Sequence, residues 1–138
     1  MNTMARIEKI AGWTCRITAA VILLQTLFFK FTGAPESVYI FTKIGIEPWG
    51  RYATGVIELV AAVLLLMQCR AWIGALLAMA VMAGAIASHL TVLGIVVMGD
   101  GGLLFALALT VFACCAVVAF LHRRQMPFLA GHFKFQKA

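Results

Sequence analysis

Residues 49–68, WGRYATGVIELVAAVLLLMQ, and residues 71–90, AWIGALLAMAVMAGAIASHL, decide the fold of this protein. Each stretch has about the 20 mostly apolar residues that a helix needs to cross the hydrocarbon core of a bilayer. Only Cys69 and Arg70 separate them, and so short a link makes the two helices antiparallel neighbours. The sequence therefore predicts a transmembrane hairpin in the middle of the chain.

Two further apolar stretches flank this hairpin. The first covers residues 10–31 and the last covers residues 102–122. The chain of 138 residues is 64% hydrophobic and 12% charged, with a mean hydropathy of +1.03, which is too apolar for an ordinary soluble surface. We therefore predict an all-α fold, a membrane-spanning four-helix bundle that forms a single domain over residues 1–138.

The connection between the first and second spans carries its own helix signals. Pro35 and Glu36 are typical of a helix start, and Gly45 is typical of a helix stop. Pro48 is expected at the first position of the second span. We predict a short interfacial helix between spans 1 and 2. The basic and aromatic residues 125–138 are predicted to form a cytoplasmic tail along the membrane interface.

The first span could also be a cleaved signal peptide, because residues 32–34, TGA, resemble a small-residue cleavage site. Pro35 directly after that site is unfavourable for cleavage. Lys30 and Phe31 are atypical of the segment that precedes a cut. The favoured interpretation is therefore a retained membrane span.

The positive charge of the chain predicts its orientation in the membrane. The formal net charge is +6 and the pI is about 9.6, but the basic residues form no patch with interleaved aromatics, so no nucleic-acid partner is expected. Lys and Arg residues are more frequent on the side that holds both termini, which the positive-inside rule places in the cytoplasm. That side has Arg6, Lys9, Arg16, Arg70, Arg123, Arg124, Lys134 and Lys137, and the other side has Lys30, Lys43 and Arg51.

Small residues at four-residue spacing predict helix-packing faces on the third and fourth spans. Lipid provides no hydrophobic drive for helices to associate, so close contact through small residues is needed. An alternative is that a Thr or Cys on these faces binds a ligand. The residues are Ala80, Gly84 and Ser88 on the third span, and Gly102, Ala106, Thr110 and Cys114 on the fourth.

Glu58 is the most informative single residue, because it lies near the middle of the second span. At 1.5 Å per residue it is roughly 13 Å from the outer end of that helix. An ionised carboxylate at this depth is costly, so Glu58 should face the bundle interior and be protonated, paired or hydrated. It is either an interhelical hydrogen-bonding group or a proton-handling or ligand-binding group.

The other polar residues of the spans converge on the outer half of the membrane. By the same rise per residue, Gln25 lies roughly 6 Å and His89 roughly 11 Å above the midplane. Together they predict a polar pocket that opens outward, with Glu58 at its floor. The ligand-binding or proton-handling candidates are Gln25, Lys30, Arg51, Glu58, His89 and Asp100. Interfacial anchoring is the alternative role for Lys30 and His89.

No metal and no thiol chemistry is expected. The histidines, cysteines and carboxylates lack the spacing of a zinc site, and no histidine pair suits a haem. His122 and His132 fall on the opposite side of the membrane from His89. The cysteines form no Cys-x-x-Cys pair and lie in the cytoplasmic half, which argues against dithiol catalysis. They are Cys15, Cys69, Cys114 and Cys115.

The order of several motifs resembles the DoxX/DoxD-like family of small bacterial membrane proteins. The resemblance runs from about residue 10 to residue 124. It implies a four-helix inner-membrane domain associated with redox or oxidative-stress complexes, with Glu58 at the family's intramembrane acidic position and His89 as a second member. The motifs are Lys30-Phe31-Thr32-Gly33, Pro35, Gly45-x-x-Pro48, Gly55-x-x-Glu58, Arg70, and His89 with Gly94.

Three functions remain open at this stage. The first is a redox-associated subunit that holds a quinone-like ligand in the outward pocket, which would make the chain at most a subunit of a quinone-linked oxidoreductase. The second is a non-catalytic assembly or interaction protein, and the third is a small transporter, for which no inverted repeat is visible. The expected partners are the lipid bilayer, other membrane or redox subunits, and a second copy of the chain.

Overall fold

The computed structural model describes residues 2–129 and residue 131, and these residues are helical with no strand among them. Four helices are long and apolar enough to cross a membrane, which confirms the predicted bundle. A shorter helix, α2, connects the first two long ones. The helices are α1 (Thr3–Thr32), α2 (Pro35–Ile44), α3 (Trp49–Leu66), α4 (Ala71–Ser88) and α5 (Leu103–Leu121).

The helix ends follow the sequence signals, with three differences. Helix α2 begins at Pro35 and ends before Gly45, whose φ of +88° suits a glycine cap. Helix α1 begins earlier than the predicted span, at Thr3, and α4 continues beyond residue 90 as a π-helical turn, His89–Leu93. Pro48 lies at the N-cap of α3, not at its first helical position.

Residue 130 and residues 132–138 lie outside the described part of the chain. They include most of the predicted interfacial tail over residues 125–138, and also His132. The first residues of the tail are described: Arg123–Gln125 form a 3₁₀ turn and Met126 is buried.

The long helices form a ring in which α1 packs on α3, α3 on α4, α4 on α5, and α5 on α1. We call the half of the bundle that carries α2 and residues 94–102 the α2 half. The half that carries the turn at residues 67–70 and the end of α5 is the terminal half. The terminal half is tightly packed, mainly through buried alanines of α1, α3 and α4.

Gly74 shows how close α3 and α4 come in the terminal half. A Cβ atom at Gly74 would lie 2.7 Å from the Ala61 carbonyl oxygen and 2.7 Å from the Leu65 amide nitrogen. Because these are backbone atoms, they cannot move aside as a flexible side chain would. Only glycine therefore fits at this crossing, and the short turn after α3 holds the two helices there.

The predicted packing faces of the third and fourth spans are wrong in part, although Gly102 is buried and Cys114 packs against the core. Ala80, Gly84, Ala106 and Thr110 are exposed, and a Cβ atom at Gly84 would meet nothing within 4 Å. The packed faces lie elsewhere on the same helices, because larger side chains fill the interior of the bundle as well as small ones. On α4 they include Gly74, Ala75, Ala78 and Met82, and on α5 they include Ala108, Val111, Cys115 and Val118.

Arg16 lies inside the bundle, whereas its place among the basic residues at the helix ends predicts a topology marker at the lipid headgroups. Its side chain is only 2% exposed and donates a hydrogen bond from Nε to the Leu65 carbonyl, near the end of α3. The guanidinium lies 3.9 Å from the centre of the Trp13 ring. Arg16 thus satisfies a carbonyl that a helix end leaves without a partner inside the helix.

The bundle is less tightly closed in the α2 half. There α1 stays against α3, since a Cβ atom at Gly55 would lie 3.1 Å from the Phe31 ring. Helix α4 stays against α5, where the His89 and Phe105 rings are 5.5 Å apart. Between the α1/α3 pair and the α4/α5 pair lies a cavity, and α2 covers it with the buried residues Ser37 and Phe41.

Candidate functional site

The cavity in the α2 half has a volume of about 590 Å³ and is lined by all five helices. Most of the lining side chains are aliphatic or aromatic, and a few polar groups lie among them. This size and composition are typical of a small-molecule site, in which apolar walls provide contact area and a few polar groups set orientation. The cavity is therefore the candidate functional site.

A buried ion pair forms one wall of the cavity. Glu58 of α3 is 1% exposed, and its carboxylate is paired with the ammonium of Lys30 on α1. Thr26, one turn before Lys30 on α1, shares its hydroxyl proton between the same carboxylate at 3.2 Å and the Leu23 carbonyl at 2.8 Å. The pair thus joins α1 to α3 and supplies the opposite charge that a carboxylate needs at this depth.

His89 lies on α4, in the wall that faces α1 and α3. It is 5% exposed and is the first residue of the π-helical turn. Its Nδ1 atom is 2.8 Å from the Gly94 carbonyl oxygen, so Nδ1 carries a proton and donates it in this contact. The other ring nitrogen, Nε2, has no hydrogen-bond partner within residues 2–129, and His89 lines the cavity.

Asp100 lies at the edge of the cavity, before α5, and its carboxylate accepts three backbone hydrogen bonds. The donors are the amides of Val97 at 2.9 Å, Gly102 at 2.8 Å and Leu104 at 3.0 Å. Partial burial acts to raise the pKa of Asp100, but these amides and the nearby His89 outweigh it, so this pKa lies below its usual value. A negative charge at this position also complements the positive end of α5.

Arg51 is buried but does not line the cavity. Its Nε donates to both carboxylate oxygens of Glu47, at 2.8 and 3.0 Å, and its Nη1 donates to the Lys30 carbonyl at the end of α1. Arg51 therefore ties the loop before α3 to the end of α1. By holding that carbonyl it positions the backbone of Lys30, whose side chain reaches Glu58.

The structure brings together five of the six residues singled out in the sequence. Gln25, Lys30, Glu58, His89 and Asp100 all line the cavity, and Arg51 lies outside it. Sequence reasoning included Lys30, the charged partner of Glu58, but missed Thr26 as a second partner of Glu58 and Glu47 as the partner of Arg51. Thr26 shares a helix face with Lys30, four residues away, and Glu47 precedes Arg51 by four residues, so helical spacing could have indicated both. Other missed polar lining residues are Glu36, Ser37 and Thr54.

Comparison with known proteins places the chain in a family. The family model for DoxX matches residues 12–98, which include residues 12–32 of α1, the whole of α2, α3 and α4, and the residues Lys30, Glu58 and His89. Helix α5 lies outside the match, so the matched range is shorter than the resemblance expected from the motifs. No curated protein and no solved structure matches this chain. Because the match covers more than half of a chain with four membrane-crossing helices, this multi-pass membrane protein belongs to the DoxX family.

Proposed function

We propose that this protein is a plasma-membrane subunit that binds a quinone-like ligand in the cavity of the α2 half and serves a redox or oxidative-stress complex. Both termini would lie in the cytoplasm, and the α2 half would lie toward the outer face of the membrane. One observation carries the proposal: the buried Lys30–Glu58 pair lies in the wall of an apolar cavity of about 590 Å³. A purely structural ion pair has no need of such a cavity.

The cavity suits the two chemical parts of a lipid-soluble quinone. Its aliphatic and aromatic walls match an apolar ring and chain, and its polar groups lie on two facing sides. Lys30 of α1 carries hydrogen-bond donors, and His89 of α4 presents Nε2 from the opposite helix pair. Such an arrangement can hold the two ring oxygens of a quinone from opposite sides.

A bound quinone would supply carbonyl oxygens that take up electrons and protons to become hydroxyl groups. Electrons would come from a partner redox subunit. Within this chain, Lys30 would donate a hydrogen bond to a carbonyl oxygen, and Glu58 would keep the Lys30 ammonium charged and oriented. His89 would exchange a proton at Nε2 while Nδ1 stays anchored on Gly94, which is a normal role for an imidazole.

Solvent extraction of the purified protein, followed by an assay for bound quinone, tests the proposal. We expect quinone in amounts comparable to the protein, and a loss of at least tenfold in Glu58→Gln. Glu8→Gln is the matched control, because Glu8 is an exposed carboxylate near the start of α1, outside the cavity. Absence of quinone from the wild-type protein, with added quinone also failing to bind, would contradict the proposal.

A second candidate function, docking of other membrane subunits, is supported by the exposed small residues of α4 and α5. Ala106 and Thr110 lie on the outside of α5, and Thr110 donates its hydroxyl to the Ala106 carbonyl of its own helix. Small residues at this spacing allow close approach of another helix. A pull-down in mild detergent that recovers a stoichiometric membrane partner, with no small molecule bound, would favour this function over ligand binding.

A further inference from the structure

The geometry points to a lateral route into the cavity: a lipid-soluble ligand enters from the bilayer through a gap between α1 and α5, where Gln25 contacts its polar head. This inference rests on the proposed function, because it concerns the same cavity and the same class of ligand. It adds the direction of entry, which is from the hydrocarbon and not from the outer water, and it assigns a role to Gln25.

The exposed residues of the cavity wall show where the cavity is open. Phe29 of α1 and Leu103 of α5 are 43% and 58% exposed, although both line the cavity. Gln25, one turn before Phe29, also lines the cavity and is exposed. Exposed wall residues on two neighbouring helices indicate an opening between those helices, here α1 and α5.

The floor and the roof of the cavity are closed by comparison. Leu23 and Val111, from the same two helices, are buried at its lower end. Phe41 of α2 and Leu93 of the π-helical turn are buried at its upper end, where Glu36 of α2 is an exposed wall residue. A ligand that came straight down from the outer water would have to displace α2, whereas a ligand from the side would not.

The opening between α1 and α5 explains why the polar side chain of Gln25 lies at this depth in the membrane. It lies seven residues before the end of α1, which is roughly 10 Å into the membrane at 1.5 Å per residue. Its neighbour Thr26 is hydrogen-bonded to Glu58, whereas no residue in the described part of the chain is hydrogen-bonded to the Gln25 amide. An amide without a partner in hydrocarbon is costly, and a ligand head that passes or rests in the gap would supply the partner.

The alternative route for ligand entry is through a second edge of the cavity, between α3 and α4. Ala80 and Gly84 of α4 line the cavity there and are exposed. A side chain added at Gly84 would meet no atom within 4 Å, so this position accepts a larger residue. This edge has no counterpart of Gln25, because its polar wall residues, Thr54 and Ser88, donate their hydroxyls to carbonyl oxygens of their own helices.

Steric blocking of each edge tests the route. One probe is a long-chain isoprenoid benzoquinone in phospholipid vesicles, and the other is a short-chain, water-soluble benzoquinone. The rate and affinity with which each binds to the reconstituted protein are measured. Leu107 lines the cavity one turn after Leu103 on α5. We expect Leu107→Trp, which narrows the α1/α5 gap, to slow binding of the long-chain probe at least tenfold more than it slows binding of the short-chain probe. Gly84→Trp, the matched block at the other edge, should change the binding rates of the two probes by the same factor.

Gln25→Leu is the variant that leaves the shape of the gap nearly unchanged. We expect it to slow binding of the long-chain probe about fivefold more than it slows binding of the short-chain probe. The lateral route through α1 and α5 is overturned if Gly84→Trp slows the long-chain probe and Leu107→Trp does not, or if none of the three variants changes its rate. Failure of the wild-type protein to bind either probe overturns the proposed function itself.

Discussion

At the scale of single residues, the Lys30–Glu58 pair places two opposite charges inside an otherwise mainly apolar bundle. Taking two charges out of water is costly, and their attraction compensates only when the partners are close and further hydrogen bonds are made. The hydroxyl of Thr26 provides one such bond to Glu58. Breaking the pair should therefore harm the protein more than replacing both members with neutral side chains.

We predict that Lys30→Met lowers the free energy of unfolding by about 3 kcal/mol, because it leaves the Glu58 carboxylate buried without a counter-charge. The double variant Lys30→Met/Glu58→Gln should regain at least half of that loss. Denaturant titration of the protein in detergent micelles, followed by circular dichroism, measures both. Equal stability of the single and double variants would show that the charges are not coupled.

At the scale of helices, the ends of α1 and α5 are held by charged side chains. Arg51 donates to the last turn of α1, and Asp100 accepts from the backbone amides around the start of α5. Helix ends expose backbone groups that have no partner inside the helix. These contacts keep the Lys30 side chain and the first turn of α5 at the edges of the cavity.

The lowered pKa of Asp100 predicts a pH dependence. Its folded-state pKa lies below the ordinary value of 3.8, so the stability it contributes is present above about pH 4 and is lost as pH falls through the folded-state value. Thermal unfolding in detergent should give a higher melting temperature for the wild-type protein than for Asp100→Asn at neutral pH. That difference should shrink below about pH 4, and a difference that grows on acidification would be contrary to the prediction.

The crossing of α3 and α4 gives a second prediction at this scale. Gly74→Ala should lower the free energy of unfolding by about 1–3 kcal/mol, because the new methyl group meets backbone atoms of α3. Gly84→Ala, on the same helix, is the control. It meets no neighbour and should raise helix stability by about 0.5–1 kcal/mol. Denaturant titration measures the free energy of unfolding of both variants. Equal changes would contradict close packing of α3 and α4 at Gly74.

At the scale of the whole molecule, the bundle combines a tightly packed terminal half with a hollow α2 half. The alanine-rich contacts of the terminal half bring backbones close together, whereas α2 and the larger side chains of the α2 half leave space between the two helix pairs. The four cysteines lie away from this space, since none of them lines the cavity. Ligand binding and structural packing are thus divided between the two halves.

The distribution of Lys and Arg predicts the orientation of this asymmetric molecule. We expect a periplasmic reporter enzyme fused after residue 45, in the loop that follows α2, to be active, and the same enzyme fused after residue 68 to be inactive. The reason is the larger number of Lys and Arg residues beside the termini and the short turn. Activity with the opposite pattern would place the cavity on the cytoplasmic side.

The sequence by itself determined the membrane-spanning class, the number of long helices, the short helix at Pro35–Ile44 and the family. These depend on local quantities: apolar length, helix signals such as Pro35 and Gly45, and short motifs. It also indicated that Glu58, Lys30 and His89 belong to one half of the membrane, because rise per residue converts sequence position into depth.

Only the tertiary structure decided which partner each polar side chain takes and which helix faces pack. Depth along a helix does not specify direction around it or distance to a neighbouring helix, so Arg51 was grouped with Glu58 although it binds Glu47 and the end of α1. For the same reason the spacing of small residues on α4 and α5 does not predict that Ala80, Gly84, Ala106 and Thr110 are exposed. The cavity itself arises from the separation of two helix pairs, and no single segment of the chain encodes that distance.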